Sequence, residues 1–465
     1  MDELRELIDG PVVLPGDSGW DAARGAWHLL IDQQPVAVVQ ASGLDDIVAT
    51  VRYARDHGLA VTTQPTGHGA SSAVNGTILL RTGALTAIDV DLEAGVVRVG
   101  AGVQWRDLNE ALTGTGLTSL PGSNGDVTVV GYTLGGGVGW FGRKYGQAAQ
   151  RVRWVRLVTG AGEVIDVTQE SDPDLFWAVR GGGGDFGIVV AMELELLPAM
   201  EIQGGRMMWP IEHARDVLRA FTEISATAPD ELSLWAWLLH FPDVPFVPEP
   251  VRGKSFAAVD STFLGTPDDA DKLLAPLRAV AAPVSDDVAA IPLSMVGKIA
   301  QEPEDPTPGL IKSVLLSSFD DAAIDTLLKV GAADSPLFIF EVRHLGGAFA
   351  RPDESHGAAG VIEDPYLFLF GGIVADPALA PVIGGAIEHV QTAMEPWISG
   401  RVLPNFSVGE PNAQLYPAAT QTRLAEIKSR VDPNGVIRSN HPVSGNQPTS
   451  NQPVSTRPAG SQPVS

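Results

Sequence analysis

Gln64-Pro65-Thr66-Gly67-His68-Gly69-Ala70 sets a histidine between two glycines, directly after the apolar run Leu59-Ala60-Val61. Glycine has no Cβ, so main chain there can lie against a flat ligand while the imidazole reaches its edge. By itself such a histidine is more often structural or solvated. Two further glycine-rich loops follow, Gly131-Tyr132-Thr133-Leu134-Gly135-Gly136-Gly137-Val138-Gly139 and Arg180-Gly181-Gly182-Gly183-Gly184-Asp185-Phe186-Gly187. Together the three loops indicate one large, elongated cofactor held mostly by backbone.

The chain has 465 residues, room for two or three domains and a large core. Its net charge of −25 argues against a general basic surface for nucleic acid or an anionic membrane. With no cysteine, disulfides, thiolate metal sites and thiol catalysis are excluded. The start, Met1-Asp2-Glu3-Leu4-Arg5-Glu6, lacks an apolar export core, and no apolar run is long enough to span a bilayer. The expectation is a cytoplasmic monomer or homodimer that acts on a small molecule and uses no metal.

Short strands are predicted at 35–40, 60–63, 77–80, 88–90 and 96–99, and helices at 44–57 and 105–112. Residues 152–158 and 163–167 read as a hairpin around Gly160-Ala161-Gly162. Ser171-Asp172-Pro173-Asp174 opens a helix that ends in the glycine run. Strands and helices without a regular βαβ beat indicate an α+β fold. After Pro198 the texture changes. Helical stretches at 213–227, 268–280, 324–330 and 378–394 alternate with strands at 232–239, 256–263, 337–342 and 366–374. Residues 444–465 repeat short Gln-Pro phrases, carry little bulk to bury and read as a disordered tail.

Two stretches match the dinucleotide pattern G-x-G-x-x-G, from Gly137 to Gly142 and from Gly182 to Gly187. The second has the order helix, glycines, strand, the reverse of what the fingerprint needs. The first places Trp140 and Phe141 where a tight phosphate turn needs small residues. No marker of nucleotide hydrolysis, zinc proteolysis or serine hydrolysis is present.

Four motifs, in order, carry a family resemblance: Thr66-Gly67-His68-Gly69; the run Val130 to Trp140; Asp174-Leu175-Phe176-Trp177-Ala178-Val179-Arg180 with the glycines to Gly187; and Asp432-Pro433-Asn434-Gly435 with Ser439-Asn440-His441-Pro442-Val443. The chain resembles flavin oxidoreductases with a PCMH-type, vanillyl-alcohol-oxidase-like FAD domain, and more narrowly bacterial berberine-bridge-enzyme-like proteins. The resemblance implies a PCMH-type FAD-binding domain over 1–198 and a substrate domain over 199–404, an antiparallel sheet covered by helices. A C-terminal segment, 405–443, would return to the FAD domain. It implies FAD bonded through its 8α-carbon to His68, with Pro65, Thr66, Gly67, Gly69, Ala70 and Ser71 around the pyrophosphate. Gly122, Ser123, Gly131, Tyr132, Gly135, Gly136, Gly137 and Gly139 would line the cofactor, with Gly187, Ile188, Val189 and Asn440 beside it. Many relatives tether FAD a second time through a Cys; counting from Arg143-Lys144-Tyr145-Gly146 puts Ala149 at that place, so attachment through His68 alone is expected. Asp185 departs from the usual Asn of relatives.

The implied reaction is hydride transfer to flavin N5 from a C–H beside an alcohol, sugar hydroxyl or amine, with O2 reoxidising the flavin to give H2O2. A dehydrogenase using another electron acceptor and a non-catalytic flavin-binding protein are the alternatives. A base must take the substrate proton. Glu341 and Arg343 fall on one side of a strand, as an acid and cation above the ring or as a structural pair. Tyr366, in a stripe with Phe368 and Phe370, and Tyr145 are further candidates. The tyrosine that sugar-oxidising relatives place two residues before an Asn-Phe pair is here Leu403. Trp235-Ala236-Trp237 reads as core or as a sugar-stacking platform.

Overall fold

The computed structural model describes residues 1–244, 247–353 and 356–443. The segment read as a disordered tail lies outside them. The fold is α+β and is built from three main sheets.

The first sheet contains a βαβ unit that the strand spacing did not announce. Strands Ala37–Gln40 and Val61–Thr63 both pair in parallel with Ile78–Arg81, and the helix Leu44–Asp56 makes the crossover. Ile47, Val51 and Ala54 of that helix are fully buried against the sheet, as their spacing requires. Asp46 in its first turn accepts the backbone N–H groups of Asp9, Gly10 and Ser42 at 2.8, 3.1 and 2.7 Å. That anchors the N-terminal arm.

The second sheet is antiparallel and five-stranded, with Ile188–Glu195 at its centre between Val96–Gly100 and Val152–Val158. Ile188 and Val190 pack towards the first sheet, while Val189 and, beyond a bulge between Val189 and Ala191, Met192 and Leu194 face the other core. The hairpins at 88–100 and 152–167 form as the turn signals predict.

The third sheet is antiparallel, eight-stranded, and takes all its strands from residues 202–373. Two of its long strands, Ile202–Pro210 and Gly309–Leu316, are absent from the sequence reading, as are the two-residue strands Ser285–Asp286 and Ala289–Ala290. Ile202–Pro210 is interrupted by Gly204-Gly205-Arg206, which hides its strand signal. Gly205 is required there: at φ +155° a Cβ would stand 2.4 Å from the Asp287 carbonyl oxygen.

Helices Ala214–Thr227, Pro267–Arg278, Asp321–Val330 and Ala380–Met394 cover one face of the third sheet, burying Leu234, Ala236, Phe340, Val342, Phe368 and Phe370. The alternate residues of the same strands point the other way, towards the glycine loops. The chain end returns to the first sheet, where Val61 N–H donates to Val436 O at 2.7 Å and Arg438 N–H to Val61 O at 2.9 Å. Among the described residues no helix is long and apolar enough to cross a membrane.

Candidate active site

Between the glycine loops and the helix-free face of the third sheet lies a cavity of about 570 Å³. One wall is main chain. Pro65, Thr66, Gly67, His68, Gly69, Gly122, Ser123, Gly131, Tyr132, Gly135, Gly187, Val189 and Asn440 all line it. The opposite wall is side chains from the sheet, among them Arg206, Trp237, Glu341, Arg343 and Leu369.

Gly67 adopts φ +90°, and a Cβ there would come within 3.0 Å of Ala26 Cα, so only glycine lets this loop close on the 26–27 segment. The next residue, His68, is thereby laid flat on Trp27, with ring centroids 4.3 Å apart and planes 24° from parallel. Its Nε2 stands 3.0 Å from Asp126 Oδ1.

Several residues expected to line the cofactor lie behind the lining. Ser71 accepts from Ala73 N–H and donates to Asn440 O at 2.5 Å, so it fastens the loop to the C-terminal segment. Ala70 continues that turn, its N–H donating to Gly67 O. Ile188 faces the core beneath. Gly137 and Gly139 make room for the Tyr132 ring, which added Cβ atoms would each approach to 2.7 Å. Gly136, at φ +108°, is packed against Gln147 and Asn405. Ala149 is fully buried and donates its N–H to Gly136 O at 2.8 Å. It does not line the cavity, so a side chain at 149 faces the core and not the space between the walls. The loop that faces His68 is the one carrying Asp126.

Two proposed bases are also displaced. Tyr366 sits on the helix-covered face among Phe221 and Phe319, because residues 366, 368 and 370 share the side opposite to Leu369. Tyr145 lies at the surface, its hydroxyl donating to Pro198 O at 2.7 Å. Leu403 packs with Val138 and Leu369 rather than lining the cavity. Trp235 has one face covered by Trp140, with centroids 3.4 Å apart, and the Arg343 guanidinium stands 3.8 Å from its ring. It cannot serve as an open sugar platform; Trp237 does line the cavity.

Glu341 and Arg343 do face the cavity. Arg343 Nε donates to Glu341 Oε1 at 2.6 Å and its Nη2 to Oε2 at 3.1 Å, while the same Nη2 reaches Glu302 Oε1 at 3.3 Å. Burial pushes the Glu341 carboxyl up to about 7, against the pull of Arg343 and with a further push from Glu302 and Asp260. Burial also raises the Tyr132 phenol, with Arg343 opposing.

Sequence reasoning missed Arg206, its partner Asp260, and the role of Asn405. Antiparallel register aligns Arg206, Asp260, Trp235 and Arg343 in one row across four strands. Arg206 grips Asp260 through Nε and Nη2, at 2.5 and 2.7 Å. An acid inside the apolar run Phe256–Phe263 is the signal that would have found this pair. Asn405, used in the sequence only to locate Leu403, donates to Tyr132 O at 2.8 Å and accepts from Gly137 N–H at 2.7 Å. It bolts the C-terminal segment onto the central glycine loop.

The cavity suits a flat ligand with polar edges. Along its main-chain wall, Thr63 Oγ1, Gln64 Oε1, Thr82 Oγ1 and Ser439 Oγ are buried with no hydrogen-bond partner among the described residues. Buried polar atoms are rarely left so, and a row of them along one cavity marks a ligand's place.

Comparisons with known proteins agree with that geometry. A family described as FAD binding domain matches residues 35–168. The chain is 27% identical to (R)-6-hydroxynicotine oxidase of Paenarthrobacter nicotinovorans, over 93% of this chain and 96% of that protein. The solved structure of a berberine-bridge-enzyme-like protein of Physcomitrella patens is similar at a TM-score of 0.83 and 18% identity, covering 95% of this chain and 98% of that one. That of 6-hydroxy-D-nicotine oxidase from Arthrobacter nicotinovorans is similar at 0.79 and 25% identity, covering 92% and 96%.

Proposed function

We propose that this chain, an FAD-linked oxidoreductase of the berberine-bridge-enzyme-like fold, is an oxidase of a small alcohol, sugar or amine with its flavin tethered through His68 alone. The single observation that carries the reading is the buried Glu341–Arg343 pair, held on the sheet wall directly across the cavity from the glycine-lined wall. Pro65 to Gly69, Gly122, Ser123, Gly131, Tyr132 and Gly135, with Gly187, Val189 and Asn440, would hold the FAD. Bound FAD would supply the hydride (two-electron) acceptor that the side chains lack.

The chain's own residues do the rest. Glu341, with a carboxyl near 7, takes the substrate's O–H or N–H proton as the neighbouring C–H is broken. Arg343 keeps that carboxylate turned towards the cavity and spreads its charge. Trp237 and Leu369 give the substrate an apolar surface and exclude water. O2 is the final oxidant in this reading. The similarity to a relative named as an oxidase supports it.

Anaerobic reduction by candidate alcohols, sugars and amines, followed by air, tests the proposal. Bleaching of the flavin and recovery with H2O2 is expected. Bleaching that air does not reverse would make the protein a dehydrogenase.

A further inference from the structure

Asp126 is an acid in the loop that crosses the cavity opposite the tethering imidazole, and neither the fold nor the proposed oxidation uses it. Its place is fixed by main chain. Arg106 N–H donates to Gly125 O at 2.8 Å and Trp105 N–H to Val127 O at 3.0 Å, which pins residues 125–127 to the start of the helix Trp105–Leu112. Asn124 Oδ1 accepts from Asp126 N–H at 3.1 Å, and Asn124 Nδ2 donates to Pro303 O at 2.9 Å. The carboxylate is delivered to one target: Oδ1 stands 3.0 Å from His68 Nε2, with the two side chains only 8% and 21% exposed. The approach is an ion-pair contact rather than an aligned hydrogen bond, and both atoms are buried with no other partner among the described residues. Trp27 covers one face of the imidazole, which limits how the ring can turn. A further titratable group near the ring is His28, which lines the same cavity and whose imidazole is held below its ordinary value by burial, with His68 pushing the same way.

We infer that Asp126 is a positioning residue for covalent flavin attachment: it keeps the His68 proton on Nε2 and leaves Nδ1 as the nucleophile that joins the flavin 8α-carbon. The inference rests on the reading that FAD is tethered at His68. A neutral imidazole has one protonated and one free nitrogen, and the partner of the protonated one decides which attacks. In the attachment step an Nδ1–C8α bond forms and one C–H of the 8α-methyl group breaks. The electron pair and proton of that C–H pass to the isoalloxazine, and the Nε2 proton, taken up by Asp126, is passed on as the second proton. The flavin is then two-electron reduced until O2 removes two electrons and two protons as H2O2. The carboxylate also offsets the positive charge that the imidazole carries while both its nitrogens are substituted or protonated.

The test follows attachment and not turnover. Full-length protein from flavin-limited cells is mixed with FAD in air. Flavin held by the native protein is read by absorbance, and flavin retained after denaturation is read by band fluorescence. Wild type is expected to retain fluorescence, and His68→Ala to retain none. Asp126→Asn should bind FAD but attach it at least about tenfold more slowly, the loss of an ionised proton acceptor. Its attachment rate should keep rising with pH where wild type has levelled off, because hydroxide must replace the carboxylate. Asp126→Glu, which keeps the charge, should attach faster than Asp126→Asn even if the Asn variant holds FAD weakly. Attachment by Asp126→Asn at the wild-type rate with an unchanged pH profile, or by Asp126→Glu no faster than by Asn, overturns the inference. Wild type that is yellow when native and loses all flavin on denaturation overturns the tether and this inference with it. Wild type that binds no FAD overturns the proposed function itself.

Discussion

Asp185 and Val443 are joined at 3.0 Å: one oxygen of the carboxylate that follows the four-glycine run accepts the Val443 N–H, and the other accepts the N–H of Ser439 at 2.8 Å. Lys428 completes the knot. It is buried, and its Nζ donates to Asp185 O and Ile437 O, both at 2.6 Å, and to Asp432 Oδ2 at 2.8 Å. The departure from Asn at this position therefore has a structural meaning. A carboxylate offers two acceptor oxygens to two backbone donors, where a side-chain amide offers one.

Asp185→Asn should leave one of those N–H groups unsatisfied and lower stability by about 1–3 kcal/mol. Thermal unfolding measures the loss, and limited proteolysis should cut sooner within 438–443. A variant as stable and as resistant as wild type would show that the two N–H groups find other partners.

Glu341→Gln should lower kcat by about 10²–10⁴ and flatten its pH dependence. In wild type the buried carboxyl titrates near 7, and only its ionised form accepts a proton. Activity should therefore be lost as pH falls through 7 and be retained above it. Rates on either side of that value, at saturating substrate, check the sign. An unchanged profile in the Gln variant would remove Glu341 from the reaction.

Gly139→Ala and Gly69→Ala separate packing from ligand contact. A Cβ on Gly139 would meet Pro121 O at 2.0 Å and Tyr132 Oη at 2.7 Å, while one on Gly69 meets nothing within 4 Å. The first should destabilise the protein by about 1–3 kcal/mol or more, as overpacking does. The second should leave the melting temperature within the range of a neutral surface change and weaken FAD retention instead, because Gly69 lines the cavity.

Arg206→Met should cost about 3–5 kcal/mol, since Asp260 is fully buried and would lose its bidentate partner. Burial already raises the Asp260 carboxyl while Arg206 pulls it down. Without the guanidinium the acid must take up a proton to stay inside. The loss should thus grow as pH rises, and Asp260→Leu added to Arg206→Met should recover most of it. Chemical denaturation at two pH values measures both.

Much of the cavity's glycine wall was legible in the sequence because its features are local. A histidine between glycines and the four motifs each lie within a few residues of one another. The helix at 105–112 and the strand at 152–158 were read at the boundaries they adopt. The alternation of Glu341 and Arg343 needed only the period of a strand. The strands at 202–210 and 309–316 escaped because their glycines and charges answer to neighbours across the sheet and not to their own run.

What the sequence determined by itself is therefore which glycine segments line the cavity and that Glu341 and Arg343 share one side. Only the tertiary structure decided that this side faces the cavity while Tyr366 turns to the helices. It also decided that Asp126 meets His68, and that Asn405 locks Gly137 from 268 residues away. Local periodicity fixes which side chains travel together along an element. Which partner they meet depends on long-range packing and sheet register, where a choice of face is made by burying the larger apolar surface.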